Sequence, residues 1–460
     1  MKRLLASSVL AFCLSSCGGG DSSGSNGGGS PAPAPSPTPT SAPTPTPVPS
    51  PTIAAVSYLH VFGIDVTDGQ QPNGPLVQAS DGNFYGTTRA GGAYTCSNGL
   101  GCGALFRVSS SGQESILKSF GSASSDGSWP EGPLIQGQDG ALYGVTAFGG
   151  RFGKGTIYKV SLAGAYSVLY SFGESTTDGF TPVGGLAQSS DGSIYGATSS
   201  GGLNSCFQVP QFPGEGNCGT IFKLSPEGNF STVYTFGATA SDGVQPNGSL
   251  LLASDGNLYG TTVNGGTNHC GGGGETNNCG TVFRLSLTGA LTILHSFGPT
   301  VDDGIAPQGA LIEASNGFLY GTTASGGGGT CGHSYACGTV FRSSTAGALT
   351  TLYAFATNGR VDGYYPTPFL VQASDGFLYG TTGSGGSTQS DLAGTAFRLS
   401  LTGTKTTLFS FGPVNENPHN PVGGFVQGTD GALYGVLAYN GNYGAVGARS
   451  GAGAVFKLIP

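Results

Sequence analysis

Eight cysteines fall into close pairs: Cys96/Cys102, Cys206/Cys218, Cys270/Cys279 and Cys331/Cys337. Even numbers of Cys paired within single short stretches imply four local disulfides, formed in an oxidising compartment. Zinc is the rival reading, because His269 adjoins Cys270 and His333 lies two residues after Cys331. A second series is acidic: Asp68, Asp126, Asp178, Asp242, Asp303 and Asp362 each open the phrase Asp-Gly-x-x-Pro. Six carboxylates recurring in one setting could ligate calcium or contact a sugar. The same phrase is also a turn, in which Asp accepts local backbone hydrogen bonds, Gly supplies positive φ and Pro starts a strand. A third series is basic: Arg107, Lys159, Lys223, Arg284, Arg342, Arg398 and Lys457 occupy one recurring slot, which points to pairing between strands. Acid–base catalysis on such a chain needs groups that break the recurrence. The candidates are Arg89, Trp129, Glu131, Arg151, Glu215, Glu275, His333 and Glu416, with Trp129 the single Trp. No His-Glu-x-x-His and no phosphate-binding loop occurs.

Gly and Pro number 86 and 27 among 460 residues, while charged residues are 9% where ~25% is ordinary. That balance excludes coiled coils and helix bundles, which need Leu, Glu, Lys and Arg at helical spacing. A formal charge of −8 repels phosphate backbones, so nucleic acid is not an expected partner. Apolar and aromatic contents of 37% and 10% are nevertheless enough to form cores.

Lys2 and Arg3 precede an apolar stretch, Leu4 to Leu14, too short to span a bilayer and of signal-peptide length. It ends in Leu14-Ser15-Ser16-Cys17, which resembles the lipobox of bacterial lipoproteins. The expectation is a lipoprotein signal peptide over 1–17 and lipidation of Cys17, holding the chain on a membrane without a spanning helix. Gly18 in place of Asp points to the outer membrane. Residues 18–52 are Gly/Ser-rich and then alternate Pro with Ala, Thr and Ser, the composition of an extended disordered stalk.

The remainder, 53–460, repeats one unit seven times. Its marker tyrosine recurs as Tyr85, Tyr143, Tyr195, Tyr259, Tyr320, Tyr379 and Tyr434, at steps of 52 to 64 residues. Each copy reads as four short strands. In the fourth, Ser249 to Ala253 is followed by Ser254-Asp255-Gly256, a hairpin signal, and then by strands at Asn257–Thr262, Gly280–Leu285 and Leu291–Phe297. The expected fold is all-β: a seven-bladed β-propeller of four-stranded antiparallel blades. The seventh copy stops after its third strand, while Leu59-His60-Val61-Phe62 matches Leu294-His295-Ser296-Phe297. An N-terminal strand therefore completes the last blade. The second turn and the inter-blade link are long and variable, so sequence diversity collects on one face, the expected recognition surface.

The phrase Ala253-Ser254-Asp255-Gly256-Asn257-Leu258-Tyr259-Gly260-Thr261-Thr262, with Gly280-Thr281-Val282-Phe283-Arg284-Leu285, resembles the GloVer tandem repeats of bacterial surface proteins, called "choice of anchor" for their differing attachments. The resemblance spans all seven copies and implies an exported, anchored protein; it carries over no catalytic residues. The function expected is binding of a protein or glycan partner through the stapled loop face. The residues of that face are Asp68, Asp126, Trp129, Asp178, Asp242, Asp303 and Asp362. A polysaccharide hydrolase or lyase, and a structural envelope protein without discrete ligand, are the alternatives. No cofactor is expected other than calcium on the link carboxylates.

Overall fold

The computed structural model describes residues 55–63, 67–96, 101–204, 206, 218–239, 241–268, 270, 279–298, 300, 302–328, 337–356, 360–386, 393–412, 419–439 and 453–460. The chain divides into two compact units, Met1–Ser50 and Pro51–Pro460. The first unit, with the expected signal sequence and Cys17, lies outside the described residues. No described helix is long and apolar enough to cross a membrane.

The second unit is a ring of seven antiparallel blades. Blade 2 shows the plan: an inner strand Gly127–Gln136, then Leu142–Gly149, Thr156–Val160 and an outer strand Tyr166–Ser171, hydrogen-bonded in that order. Tight turns such as Gln138-Asp139-Gly140 join the first two strands, with Gly140 at φ 78°, where a side chain would be strained. Blade 7 supplies His419–Gln427, Leu433–Tyr439 and Ala454–Ile459, and takes its outer strand from Ala55–Val61. Ala55 lies opposite Ile459 and Val61 opposite Ala454. The ring is thus closed by the N-terminal strand, as its sequence match to the outer strands predicts.

The hydrophobic core lies between blades. Seven buried clusters each draw on two neighbouring blades, the seam cluster joining Phe62, Tyr434 and Phe456's neighbour Val455 to Phe84 and Phe106 of blade 1. One aromatic contact recurs at every boundary. The Phe that ends an outer strand meets the aromatic ring of the next blade's third strand edge to face: Phe62–Phe106, Phe120–Tyr158, Phe172–Phe222, Phe236–Phe283, Phe297–Phe341, Phe355–Phe397 and Phe411–Phe456, with centroids 4.9–5.4 Å apart. Edge-to-face pairs of this kind add ~0.5–1.5 kcal/mol each beyond area burial.

Around the axis the inner strands meet backbone to backbone. A Cβ on Gly132 would lie 2.4 Å from the carbonyl carbon of Gly184, one on Gly184 2.6 Å from that of Gly248, and one on Gly248 2.3 Å from the Gly309 oxygen. Gly309 faces the Pro368 oxygen in the same way, Gly424 faces that of Phe369, and Gly423 faces that of Gly74, which closes the circle. On the tight-turn face a glutamine clamp repeats the ring: Gln136 accepts from Ser80 N, Gln188 from Gln138 N, Gln372 from Ser315 N, Gln427 from Ser374 N and Gln78 from Thr429 N.

Gly248 has no unusual φ, so Gly248→Ala tests the close approach alone. We expect a loss of ~2–3 kcal/mol, against ~1 kcal/mol for Gly140→Ala, whose Cβ meets nothing within 4 Å and which carries only backbone strain. Urea denaturation of the two variants makes the comparison.

Candidate functional site

The long second turns and the links share one face. In three blades a disulfide crosses the second turn: Cys96–Cys102, Cys206–Cys218 and Cys270–Cys279. Cys337 is half of another, and Cys331 lies outside the described residues. Each bridge packs beneath the glycine that opens the following link. A Cβ on Gly121, Gly237 or Gly298 would meet the Sγ of Cys102, Cys218 or Cys279 within 2.6 Å. With their sulfurs bonded to one another these cysteines are not zinc thiolates, and His269 and His333 lie outside the described residues.

The second cysteine of each pair is buried, and its carbonyl has a specific partner in the next blade. Cys102 O accepts from Trp129 N, Cys218 O from Gln245 N, Cys279 O from Ala306 N and Cys337 O from Tyr365 N, each at 2.9 Å. Lys154 O and Ala393 O accept from Thr181 and Asn420 in the same position. To make this bond the donor leaves its own ladder. In blade 1 the register runs Gln70↔Ala90 and then Pro72↔Thr88, omitting Gln71, and blades 2, 3, 4, 6 and 7 omit the same residue. The omitted residues are Gln71, Trp129, Thr181, Gln245, Ala306, Tyr365 and Asn420, all with φ between 54° and 59°. They are seven of the eight positive-φ non-glycine residues among those described. All seven are half-buried.

A left-handed conformation costs ~1–2 kcal/mol for most side chains and more for a β-branched one such as Thr181. Gly or Asn would adopt it cheaply, yet only one of the seven is Asn and none is Gly. The strained position therefore carries a different side chain in nearly every blade, on a backbone that the neighbouring blade holds fixed. Strain of this kind concentrates where side chains are presented for use.

The structure gives Trp129 a partner, since its indole meets the exposed ring of Phe148 edge to face at 5.2 Å. Phe152, also exposed, lies under Arg151, and Phe180 lies under Lys154. Beside Trp129, Glu131 accepts from Arg89 at 2.6 Å and from Asn73 at 2.7 Å, so two of the non-repeating candidates meet in one ion pair. Glu215, Glu275 and Glu416 lie outside the described residues. The strained ring itself was not read from sequence: Asp-Gly-x-x-Pro marks the place, but no residue type there announces positive φ.

The link carboxylates do not join this surface. Asp68, Asp126, Asp178, Asp242, Asp303 and Asp362 are each at most 9% exposed, turned inward at turns and blade boundaries rather than displayed on that face. Asp126 accepts from Ser122 N, Gly127 N, Tyr166 OH and Lys118 Nζ. Burial acts to raise its pKa, but these donors hold the carboxyl below the usual range. Asp178, Asp242 and Asp362 accept from Tyr170, Tyr234 and Tyr353 of the preceding blade, and burial together with the carboxylate raises each phenol. Asp303 lies 3.0 Å from His295 Nε2. Lys405 donates to the Asp362 carbonyl, and burial pushes its amine down to about 8 against the opposing pull of Asp362. The recurring third-strand bases pair within their own repeat: Lys159 and Lys457 meet Asp139 and Asp430, which also accept from Tyr143 and Tyr434.

Fold and site together define a closed seven-bladed repeat propeller with one braced, variable face. The chain belongs to the Gloeobacter/Verrucomicrobia repeat family, whose model matches residues 50–210, 210–328 and 272–460. No curated protein matches it. Among solved structures it is similar to the extracellular domain of a putative hybrid two-component system from B. thetaiotaomicron, at 11% identity and TM-score 0.52, over 89% of this chain and 43% of that one. It is also similar to a fungal alcohol oxidase of the AA5 family, at 12% identity and TM-score 0.50, over 88% and 76%. The periplasmic gluconolactonase of Pseudomonas aeruginosa matches at 16% identity and TM-score 0.43, over 74% and 85%. At these identities the likeness is one of fold.

Because Thr181 sits at φ 54°, Thr181→Gly should not incur the usual penalty of glycine in a strand. The expected result is a gain of ~0.5–1 kcal/mol, because relief of left-handed strain outweighs the entropy of the unfolded chain. Thermal and urea unfolding measure it.

Proposed function

We propose that this protein is a lipid-anchored, exported propeller that binds a neutral glycan through its disulfide-braced face. The observation that carries the reading is the ring of seven left-handed, half-buried residues, six of them tied to a carbonyl of the preceding blade. Its side chains are two aromatics, three amides, a hydroxyl and a methyl, with no formal charge among them. Aromatic faces that stack on sugar rings, and amides that satisfy hydroxyls, are the chemistry of carbohydrate recognition. Bracing by disulfides lowers the ordering cost of binding and fits an oxidising compartment. The Leu14-Ser15-Ser16-Cys17 sequence supports attachment through acyl chains on Cys17, probed by the fractionation below. Weighing against a hydrolase or lyase, six of the seven copies place glycine backbone at the axis.

Oxidised protein on a glycan array should bind neutral oligosaccharides. Trp129→Ala and Tyr365→Ala should each weaken that binding by ~10-fold, the equivalent of ~1.4 kcal/mol, with unchanged circular dichroism. Unaltered binding in both variants would remove the ring from the site. Separately, Cys17→Ser should move the protein from the membrane fraction to the soluble fraction of the envelope.

A further inference from the structure

Six of the seven blade boundaries place a link aspartate between two outer strands, and five of these six satisfy it in the same way. The preceding blade supplies a donor: Lys118, Tyr170, Tyr234, His295 or Tyr353. The following blade's outer strand begins with a residue that donates or is apolar: Tyr166, Phe230, Leu291, Leu349 or Lys405. The closing seam between blades 7 and 1 departs from this rule. There Asp68 faces His60 on the closing strand, and the following outer strand begins with Glu114. A second carboxylate thus stands where every other such boundary puts a donor or a hydrocarbon.

The bonding at this seam is incomplete. Asp68 Oδ2 accepts from Gly63 N at 2.9 Å and lies 3.5 Å from His60 Nε2. Asp68 Oδ1, Glu114 Oε1 and His60 Nε2 are buried atoms without a hydrogen-bond partner, and Asp68 is only 7% exposed. One ligand atom from each of the three side chains lies within 4.8 Å of the others. Burial pushes the Glu114 carboxyl up, with His60 opposing and Asp68 adding to the rise. Orphaned buried groups of this kind are destabilising, more so when charged, and two carboxylates sharing one buried site call for a cation.

We propose that His60, Asp68 and Glu114 form a binding site for a divalent transition-metal ion of the zinc type, which pins the closing strand to the first blade. One imidazole nitrogen and two carboxylate oxygens match the borderline ligand preference of zinc, and their two negative charges balance the ion. Ligands ~2.1 Å from a tetrahedral ion stand ~3.4 Å apart, so ligand atoms that lie within 4.8 Å of one another need to close by at most ~1.4 Å. The site joins residues from the closing strand, the first link and the first outer strand, so the ion cross-links the seam where the ring would otherwise open.

The test is zinc binding by the full-length oxidised protein, stripped with chelator and then titrated with zinc alone, with metal content read by elemental analysis. The wild type should take up one equivalent, and zinc should raise its thermal midpoint. Glu114→Gln and His60→Asn should each weaken binding at least ~10-fold and abolish the thermal shift. His295→Asn, at the corresponding position of another boundary, should leave stoichiometry and affinity unchanged. Because His60 and Glu114 are both partly exposed, two variants guard against a folding failure in either one. Uptake below one equivalent by the wild type, unchanged affinity in both seam variants, or retention of calcium but not zinc would overturn the assignment; the first would leave a shared proton or a water at the seam.

Discussion

At a run of glycines around the axis the inner strands of neighbouring blades leave no room for a side chain, and that constraint shapes the rest of the molecule. Gly132, Gly184, Gly248 and Gly309 stand so close to the next backbone that a single methyl group would lie within 2.3–2.6 Å of it. With the centre occupied by main chain, apolar burial moves outward, to the seven clusters between blades and their edge-to-face aromatic pairs. Each blade then depends on its neighbours for its core, so no blade is a folding unit alone. The glutamine clamps and the link aspartates satisfy polar groups across the same boundaries, on opposite faces.

The two faces are built differently. The tight-turn face is uniform, because Asp-Gly turns, marker tyrosines and third-strand bases satisfy one another within the repeat. The opposite face is heterogeneous, yet no less restrained. A disulfide braces a second turn, the cysteine carbonyl holds the next blade's left-handed residue, and that residue carries a side chain free to vary. Rigidity in the backbone and diversity in the side chain thus coexist at one position.

The repeat, the strand order, the closing strand and the cysteine pairing in three loops were legible from sequence because they rest on spacing and turn chemistry. The Asp-Gly hairpin at Ser254-Asp255-Gly256 and the match of Leu59–Phe62 to Leu294–Phe297 needed no coordinates. What escaped has a common cause, which is dependence on groups remote in the chain. The left-handed φ of Trp129 is imposed by the carbonyl of Cys102 in the preceding blade. The pairing of Trp129 with Phe148 follows from register across two strands. The link aspartates look displayed in sequence and are turned inward, because tyrosines, a lysine and a histidine of the preceding outer strands reach them. The meeting of His60 with Glu114 requires the ring to be closed before the two residues are neighbours.

Closure by the N-terminal strand also sets an order of events in assembly. Ala55 pairs with Ile459, across ~400 residues, so the contact order of this seam is as high as the propeller allows. A chain that emerges N-terminus first presents the strand Ala55–Val61 and Phe62 long before their partners arrive. Until Ala454–Ile459 follows, blades already formed remain an open arc with an apolar flank at each end, the kind of intermediate that pairs with the wrong chain. Passage through that interval, rather than the stability of the finished ring, is where escort by a chaperone would matter most.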